Sequence, residues 1–240
     1  MEPKVIFEDD NLLILDKPSG WVVNEATTTK GTPVIQSWIK GKYRFETAKS
    51  RQYRSGIVHR LDKETSGLLI IAKKRQAFTF LQKQFKLRKV QKVYVALVHG
   101  NVELDNDTIK APVGRLTWNR ERFGVIPGGR EAETKYRVVS RFMNKKSKEQ
   151  LTMLKLYPKT GRTHQIRIHL KYVKHPIVAD EFYAGRKTAR RDRKWCPRLF
   201  LHAGGIGFNH PASGKKVSFE SMIPDDLKRS LDNLNKLPRT

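Results

Sequence analysis

The stretch "HRLDKETSGLLIIAK" (residues 59–73) sets three charged or titratable side chains, His59, Arg60 and Asp62, directly ahead of an aliphatic run. Leu68 to Lys73 is predicted as a strand buried in the core, because a short continuous apolar run behind a turn signal has no solvent face to offer. Thr65-Ser66-Gly67 is the turn that leads into it. Asp62 precedes that turn, so its carboxylate stands at the mouth of the core, half-withdrawn from water. A nearby arginine would keep such a group ionised through charge pairing and hydrogen bonds. An ionised, poorly solvated carboxylate is a usable nucleophile. Spacing alone leaves a second reading equally open, in which Asp62 only caps the turn by bonding the backbone near Thr65.

Working outward, the pattern is mainly one of strands. Val5–Phe7 and Leu12–Asp16 flank an Asp9-Asp10-Asn11 turn, and Lys17-Pro18-Ser19-Gly20 is a further turn signal. Residues 33–40 are predicted as a short helix with Thr32 as its cap and Pro33 at its first position. Residues 41–55, which mix basic and aromatic side chains, are read as an exposed loop. Residues 75–88 are predicted as a helix with Phe78, Leu81 and Phe85 on one face. "KVYVALVHG" (92–100) alternates, with Val93, Val95 and Leu97 on one face and Tyr94, Ala96 and Val98 on the other. Further strands are predicted at Ala132–Ser140, Leu151–Tyr157, Leu199–Phe208 and Val217–Phe219. Residues 160–176 could alternate as a strand, but a helix is chosen: Thr163 as N-cap, Ile166, Leu170 and Val173 along one stripe, Pro176 after the end. Arg167 then lies in its first turns, off that stripe. Many strands with few helices predict an α+β fold with a mixed, mostly antiparallel central sheet and flanking helices and loops. No linker divides the chain, so residues 1–240 are read as a single domain.

Composition narrows the function. The 240 residues carry 49 Lys and Arg against 23 Asp and Glu, a formal charge of +26. Such an excess attracts polyanions, and a polyphosphate chain is the natural partner because each neutralised phosphate releases counterions. Cys196 is the only cysteine, which excludes an internal disulfide or a cysteine-rich zinc site. His164 and His169 are five apart, not four, so no helical metal pair is expected. A nucleophile elbow, a P-loop and a dinucleotide fingerprint are all missing from the sequence. The remaining class is a reaction on a polyanion that needs neither metal nor cofactor. No segment reads as a signal peptide or a membrane span, so a cytoplasmic location without a membrane partner is expected; a monomer is the expected state, though nothing in the sequence fixes it.

The motif H-R-L-D-K-E-T-S-G-L resembles the signature of the RluA-type pseudouridine synthases. "LDKPSGWVV" (15–23), "KVYVALVHG" (92–100), "TGRTHQIRIHL" (160–170), "HPIVADEFY" (175–183) and "LFLHAGGIGFNHP" (199–211) are similar to further blocks of that family, in family order. The resemblance implies the family's catalytic fold and its reaction: a uridine in structured RNA is detached at its N-glycosidic bond, turned, and rejoined through C5, with no cofactor. It implies Asp62 as the catalytic aspartate, Tyr94 as the tyrosine that packs on the target base and helps remove the C5 proton, and Arg167 as the arginine that ion-pairs with the aspartate. Attack at C6 of the base and at C1′ of the ribose both stay open. Many family members carry an N-terminal S4 domain. This sequence starts almost at the catalytic block, so it resembles the stand-alone members, which act on ribosomal RNA, transfer RNA or both.

Chemistry on a base in structured RNA requires the nucleotide to leave its stack. Arg60 and His59 are candidates to fill the vacated space or hold a phosphate; a structural salt bridge for Arg60 and a satisfied, partly buried ring for His59 are the alternatives. Arg162 and His164 flank a predicted helix start, where amides favour phosphate, or else brace the loop. "GRLTWNRERFG" (114–124) interleaves Arg115, Arg120 and Arg122 with Trp118 and Phe123. "RKTARRDRKW" (186–195) carries Arg190, Arg191 and Arg193. Both are read as RNA contacts, cations for phosphate and aromatics for unpaired bases. Two other classes compete. One is a catalytically silent RNA-binding or ribosome-assembly factor that keeps the fold. The other is a nucleoside hydrolase, which would need a second carboxylate; Glu64 is the nearest and is expected to be exposed.

Overall fold

The computed structural model of the chain describes residues 2–29, 31–117 and 122–238. Its elements, in order, are β1 (Lys4–Glu8), β2 (Leu12–Lys17), α1 (Ile35–Lys42), β3 (Ser66–Ala72), α2 (Arg75–Lys86), β4 (Gln91–His99), β5 (Asn106–Lys110), β6 (Val113–Arg115), β7 (Phe123–Val125), β8 (Glu133–Asn144), β9 (Gln150–Pro158), α3 (Gln165–Tyr172), α4 (Arg186–Asp192), β10 (Leu201–Asn209), β11 (Lys216–Glu220), α5 (Asp225–Ser230) and β12 (Leu234–Lys236). They fall into two compact units. The first runs to Lys92 and takes in Ala203–Ser221; the second comprises Val93–His202 and the residues from Met222 onward.

In the first unit the Asp9 carboxylate closes the opening hairpin, Oδ1 accepting from the amides of Asn11 and Leu12 at 2.7 Å each. β2 lies antiparallel on β3, in register from Leu12 opposite Ala72 to Lys17 opposite Gly67. The sheet continues through β10 to β11. Every residue of β3 is buried, as the aliphatic run predicts. α2 adds Ala77 and Leu81 to a cluster with Leu12, Ile14, Ile70 and Phe208. Gly67 has φ +120°, and a Cβ there would fall 2.3 Å from the Ala203 carbonyl oxygen. Only glycine lets the β10 main chain lie this close to the start of β3.

In the second unit the strand order is β4-β9-β8-β12, with β5 also on β8, and β6 and β7 form a separate hairpin. The core gathers Leu97, Leu154, Leu156, Val178 and Phe200. Both units are sheets of mostly antiparallel strands with few helices, the α+β class read from the sequence. Among the described residues no helix is long and apolar enough to cross a membrane.

Four local expectations are corrected. α1 begins at Ile35, not Pro33, because Pro33 and Val34 are drawn into extended pairing: Val22 N–H donates to Pro33 O and Ile35 N–H to Val22 O, both at 2.9 Å. Residues 41–55 are not all exposed: Thr47 is fully buried and its hydroxyl donates to Ala72 O at 2.6 Å. The N-cap of α3 is His164, not Thr163, in the left-handed region at φ +54°. The basic run at 186–192, read only as a charged stretch, is a helix.

Candidate active site

Asp62 is half-buried. The turn after it is closed by main chain, Thr65 N–H donating to Asp62 O at 3.1 Å. The turn is held from behind by the block at the end of β2. Lys17 is fully buried, and its ammonium donates to the carbonyls of Pro18, Trp21 and Lys63 at 3.0, 2.9 and 3.1 Å. An ammonium has three donors and no acceptor, and removing it from water is tolerable only when they are satisfied. Gly20 N–H donates to Lys63 O at 2.8 Å, and the Ser19 hydroxyl to Glu64 O at 2.8 Å. The two residues following Asp62 are thus tied to Lys17, Ser19 and Gly20. The sequence marked this block as a turn and assigned it no role; its burial follows from the β2–β3 register, which a linear reading does not contain.

His59 is turned inward. Its Nε2 accepts the Ile70 amide at 3.0 Å, and its ring stacks on Phe85 with centroids 5.0 Å apart. An accepting Nε2 carries no proton. Burial, reinforced by the charge of Lys92, pushes the His59 pKa down to about 3. His59 thus braces β3 through a neutral ring. Arg60 is exposed.

The second unit carries Tyr94 and Arg167. Tyr94 is half-buried on β4, opposite Leu156 of β9. Arg167 is only 4% exposed and meets a fully buried carboxylate: Nε is 2.7 Å from Asp180 Oδ2 and one terminal nitrogen 2.8 Å from Oδ1. Asp180 Oδ1 also accepts the amides of Phe182 and Tyr183 at 3.1 Å each. The guanidinium carbon lies 5.0 Å from the centre of the Tyr183 ring. Sequence reasoning assigned Arg167 one carboxylate, Asp62, and missed Asp180. The available signal was Asp180's place in the "HPIVADEFY" block and the need of a buried arginine for a counter-ion.

Behind this pair a second buried cluster anchors α4. His99 Nδ1 is 2.7 Å from Glu149 and Nε2 is 2.9 Å from Asp192, whose same oxygen accepts the Ala179 amide at 2.9 Å. Burial opposes the charge on His99, but the two carboxylates outweigh it and raise the pKa to about 9. The segment that presents Asp180 is thereby fastened at its preceding residue.

The remaining candidates are placed as follows. Arg162 Nε donates to Glu131 O at 3.1 Å. His164 Nδ1 is 2.9 Å from the Tyr183 hydroxyl, so both residues take part in bracing their loop. Arg115 lies over the Phe123 ring at 5.2 Å. On and after α4, Arg191 pairs with Glu149 at 3.0 Å and Arg193 with Glu181 at 3.2 Å. Arg190 is exposed, with no ion pair among the described residues. Trp118 and Arg120 lie outside the described residues. Asp62, His59 and Arg60 belong to the first unit, all the others to the second.

Residues 11–172 match the profile of the RNA pseudouridylate synthase family. The RNA pseudouridine synthase YlyB of Bacillus subtilis is 36% identical over 98% of this chain and 74% of its own length. The ribosomal large subunit pseudouridine synthase D of Nitrosomonas europaea is 37% identical over 99% of this chain and 67% of its own. Synthase C of Vibrio cholerae, also named for the ribosomal large subunit, is 36% identical over 98% and 70%. The solved structure of human RNA pseudouridylate synthase domain containing 1 shares the fold, with a TM-score of 0.75 at 24% identity over 99% of this chain and 91% of that one. The chain belongs to the RNA pseudouridylate synthase family. Its reaction is the isomerisation of uridine to pseudouridine in RNA.

Proposed function

We propose that this chain modifies uridines of large-subunit ribosomal RNA, with Asp62 as nucleophile, Arg167 as the cation that pairs with it, and Tyr94 packed on the target base. The carrying observation is that neighbouring groups hold both charged residues in place. Lys17, Ser19 and Gly20 fix the Asp62 turn, and Asp180 fixes the Arg167 guanidinium. Preorganised charge stabilises a transition state without reorganising during the reaction. A guanidinium has five N–H donors in a planar fork. Asp180 engages two of the nitrogens and so fixes the direction of the fork.

The target nucleotide leaves its stack to reach Asp62, and exposed Arg60 steadies the distorted RNA. The bond between N1 and C1′ breaks, the base turns, and a bond between C5 and C1′ forms. The C5 proton is lost with the help of Tyr94, and N1 ends protonated, so the isomerisation balances without a redox partner. Two of the relatives above are named for the ribosomal large subunit, which favours that RNA over transfer RNA and, with it, action in the cytoplasm. The enzyme works as a monomer.

The test is tritium release from transcripts containing 5-tritiated uridine, comparing large-subunit ribosomal RNA with pooled transfer RNA. Wild type should release tritium from the ribosomal transcript and Asp62→Asn should not, while still binding it. Equal release by Asp62→Asn would remove Asp62 as nucleophile. Release from transfer RNA alone would remove the proposed target.

A further inference from the structure

Two of the large apolar side chains left exposed among the described residues, Phe182 at 48% and Tyr172 at 58%, line the same depression. It has a volume of about 300 Å³, and Leu116 and Phe123 from the β6–β7 hairpin form another part of its wall. Arg122 and Lys171 also line it. The Arg122 guanidinium carbon is 5.9 Å from the centre of the Phe182 ring, and that of Arg167 is 5.7 Å from the same centre. Tyr94 is not among its lining residues.

We propose that this depression receives one unpaired nucleobase of the RNA, from a nucleotide other than the target uridine, stacked on Phe182 with its phosphate toward Arg122 and Lys171. The proposal rests on the chain's action on RNA. Three features select a nucleotide. The volume is at the small end of the ~300–1,000 Å³ of ligand sites, room for one flat ring system and too little for an apolar helix. Aromatic walls beside two cations match a ligand with a flat π-face and an adjoining negative charge. The ring chosen for stacking also touches Arg167, so an occupied site would fix the RNA beside a residue of the proposed catalytic set. Large aromatics left open to water side by side are otherwise a liability.

The test uses single-stranded oligoadenylate and the same strand made abasic, with binding followed by filter retention or anisotropy. For wild type the base-bearing strand should bind more tightly. Phe182→Ala should reduce that preference on the order of tenfold, the usual effect of losing one base–aromatic stack. Phe182→Tyr should keep it, and Tyr172→Ala should reduce it less. Arg122→Gln should weaken both strands alike. Circular dichroism checks that each variant is folded. An unchanged preference in both Phe182→Ala and Tyr172→Ala would overturn the inference and leave the depression to a protein partner. An equal loss on both strands would overturn it too, since the effect would not be on the base. Tritium release is scored separately, so failure of the proposed rRNA target or nucleophile would leave this readout intact.

Discussion

Asp180→Asn is the substitution whose consequences are largest for its size. It keeps the shape of the side chain and an oxygen for the amides of Phe182 and Tyr183. It removes the negative charge from a bidentate pair in which Arg167 is 4% and Asp180 0% exposed. Removing one partner of such a buried pair costs about 3–5 kcal/mol, because the desolvated guanidinium loses its bidentate acceptor. At ~2–4 °C per kcal/mol for a domain of this size, the melting point should fall by roughly 6–20 °C. The neighbouring Glu181, which pairs with Arg193 at 3.2 Å on the half-exposed surface, is the control. Glu181→Gln should cost no more than about 1 kcal/mol. Below its melting point Asp180→Asn should lose kcat on the order of a hundredfold, since a small misplacement of Arg167 is enough for that. KM should change little. The double variant Arg167→Met/Asp180→Asn should regain much of the stability, as the buried guanidinium is removed together with its carboxylate, and none of the activity. The assays are thermal unfolding followed by circular dichroism, and tritium release under saturating RNA. A melting point and kcat for Asp180→Asn as close to wild type as those of Glu181→Gln would refute the reasoning.

Four further outcomes are expected. Lys17→Met should keep RNA binding but lower kcat at least tenfold, because the three carbonyls it serves, Lys63 among them, lose their donor; unchanged turnover in single-turnover assays would separate the clamp from catalysis. Gly67→Ala should destabilise the first unit, since the new methyl meets the Ala203 carbonyl at 2.3 Å, and an unshifted urea midpoint would count against the close approach. The His99 pKa, about 9 when folded against an ordinary 6.5, is raised, so its contribution is complete below pH 6.5 and is lost as pH rises through 9. Lys92, lowered to about 8 in the first unit, acts with the opposite sign. The comparison is therefore wild type against His99→Gln from pH 6 to 10, and parallel curves would show that His99 does not carry charge. Replacing Lys187, Arg190 and Lys194 with Gln together should lower the slope of log affinity against log salt by up to about three contacts' worth; an identical slope would place the phosphates elsewhere.

Some of this was legible in the linear chain because it rests on local pattern. The buried strand after residue 65, the helix at 75–88, the alternation at 92–100 and the α+β class follow from periods of two and 3.6 and from turn chemistry, which need no partner segment. Asp62 could be singled out because charge next to an aliphatic run is a local anomaly. The ordered motif blocks pointed to the family. What the linear pattern could not supply was the set of supporting partners. Lys17 reads only as part of a turn until the β2–β3 register puts it opposite Gly67 and under the Asp62 turn. Asp180 lies 13 residues from Arg167, and which carboxylate a buried arginine finds depends on how α3 packs, not on spacing. The bond from the Ile70 amide to the His59 ring joins residues eleven apart and likewise depends on how β3 is placed. The sequence by itself determined the class of fold and the polyanionic partner, because side-chain type and local period suffice for these. Only the tertiary structure decided which of the charged residues are buried, paired and held still, because burial and pairing are properties of segments brought together from far apart in the chain.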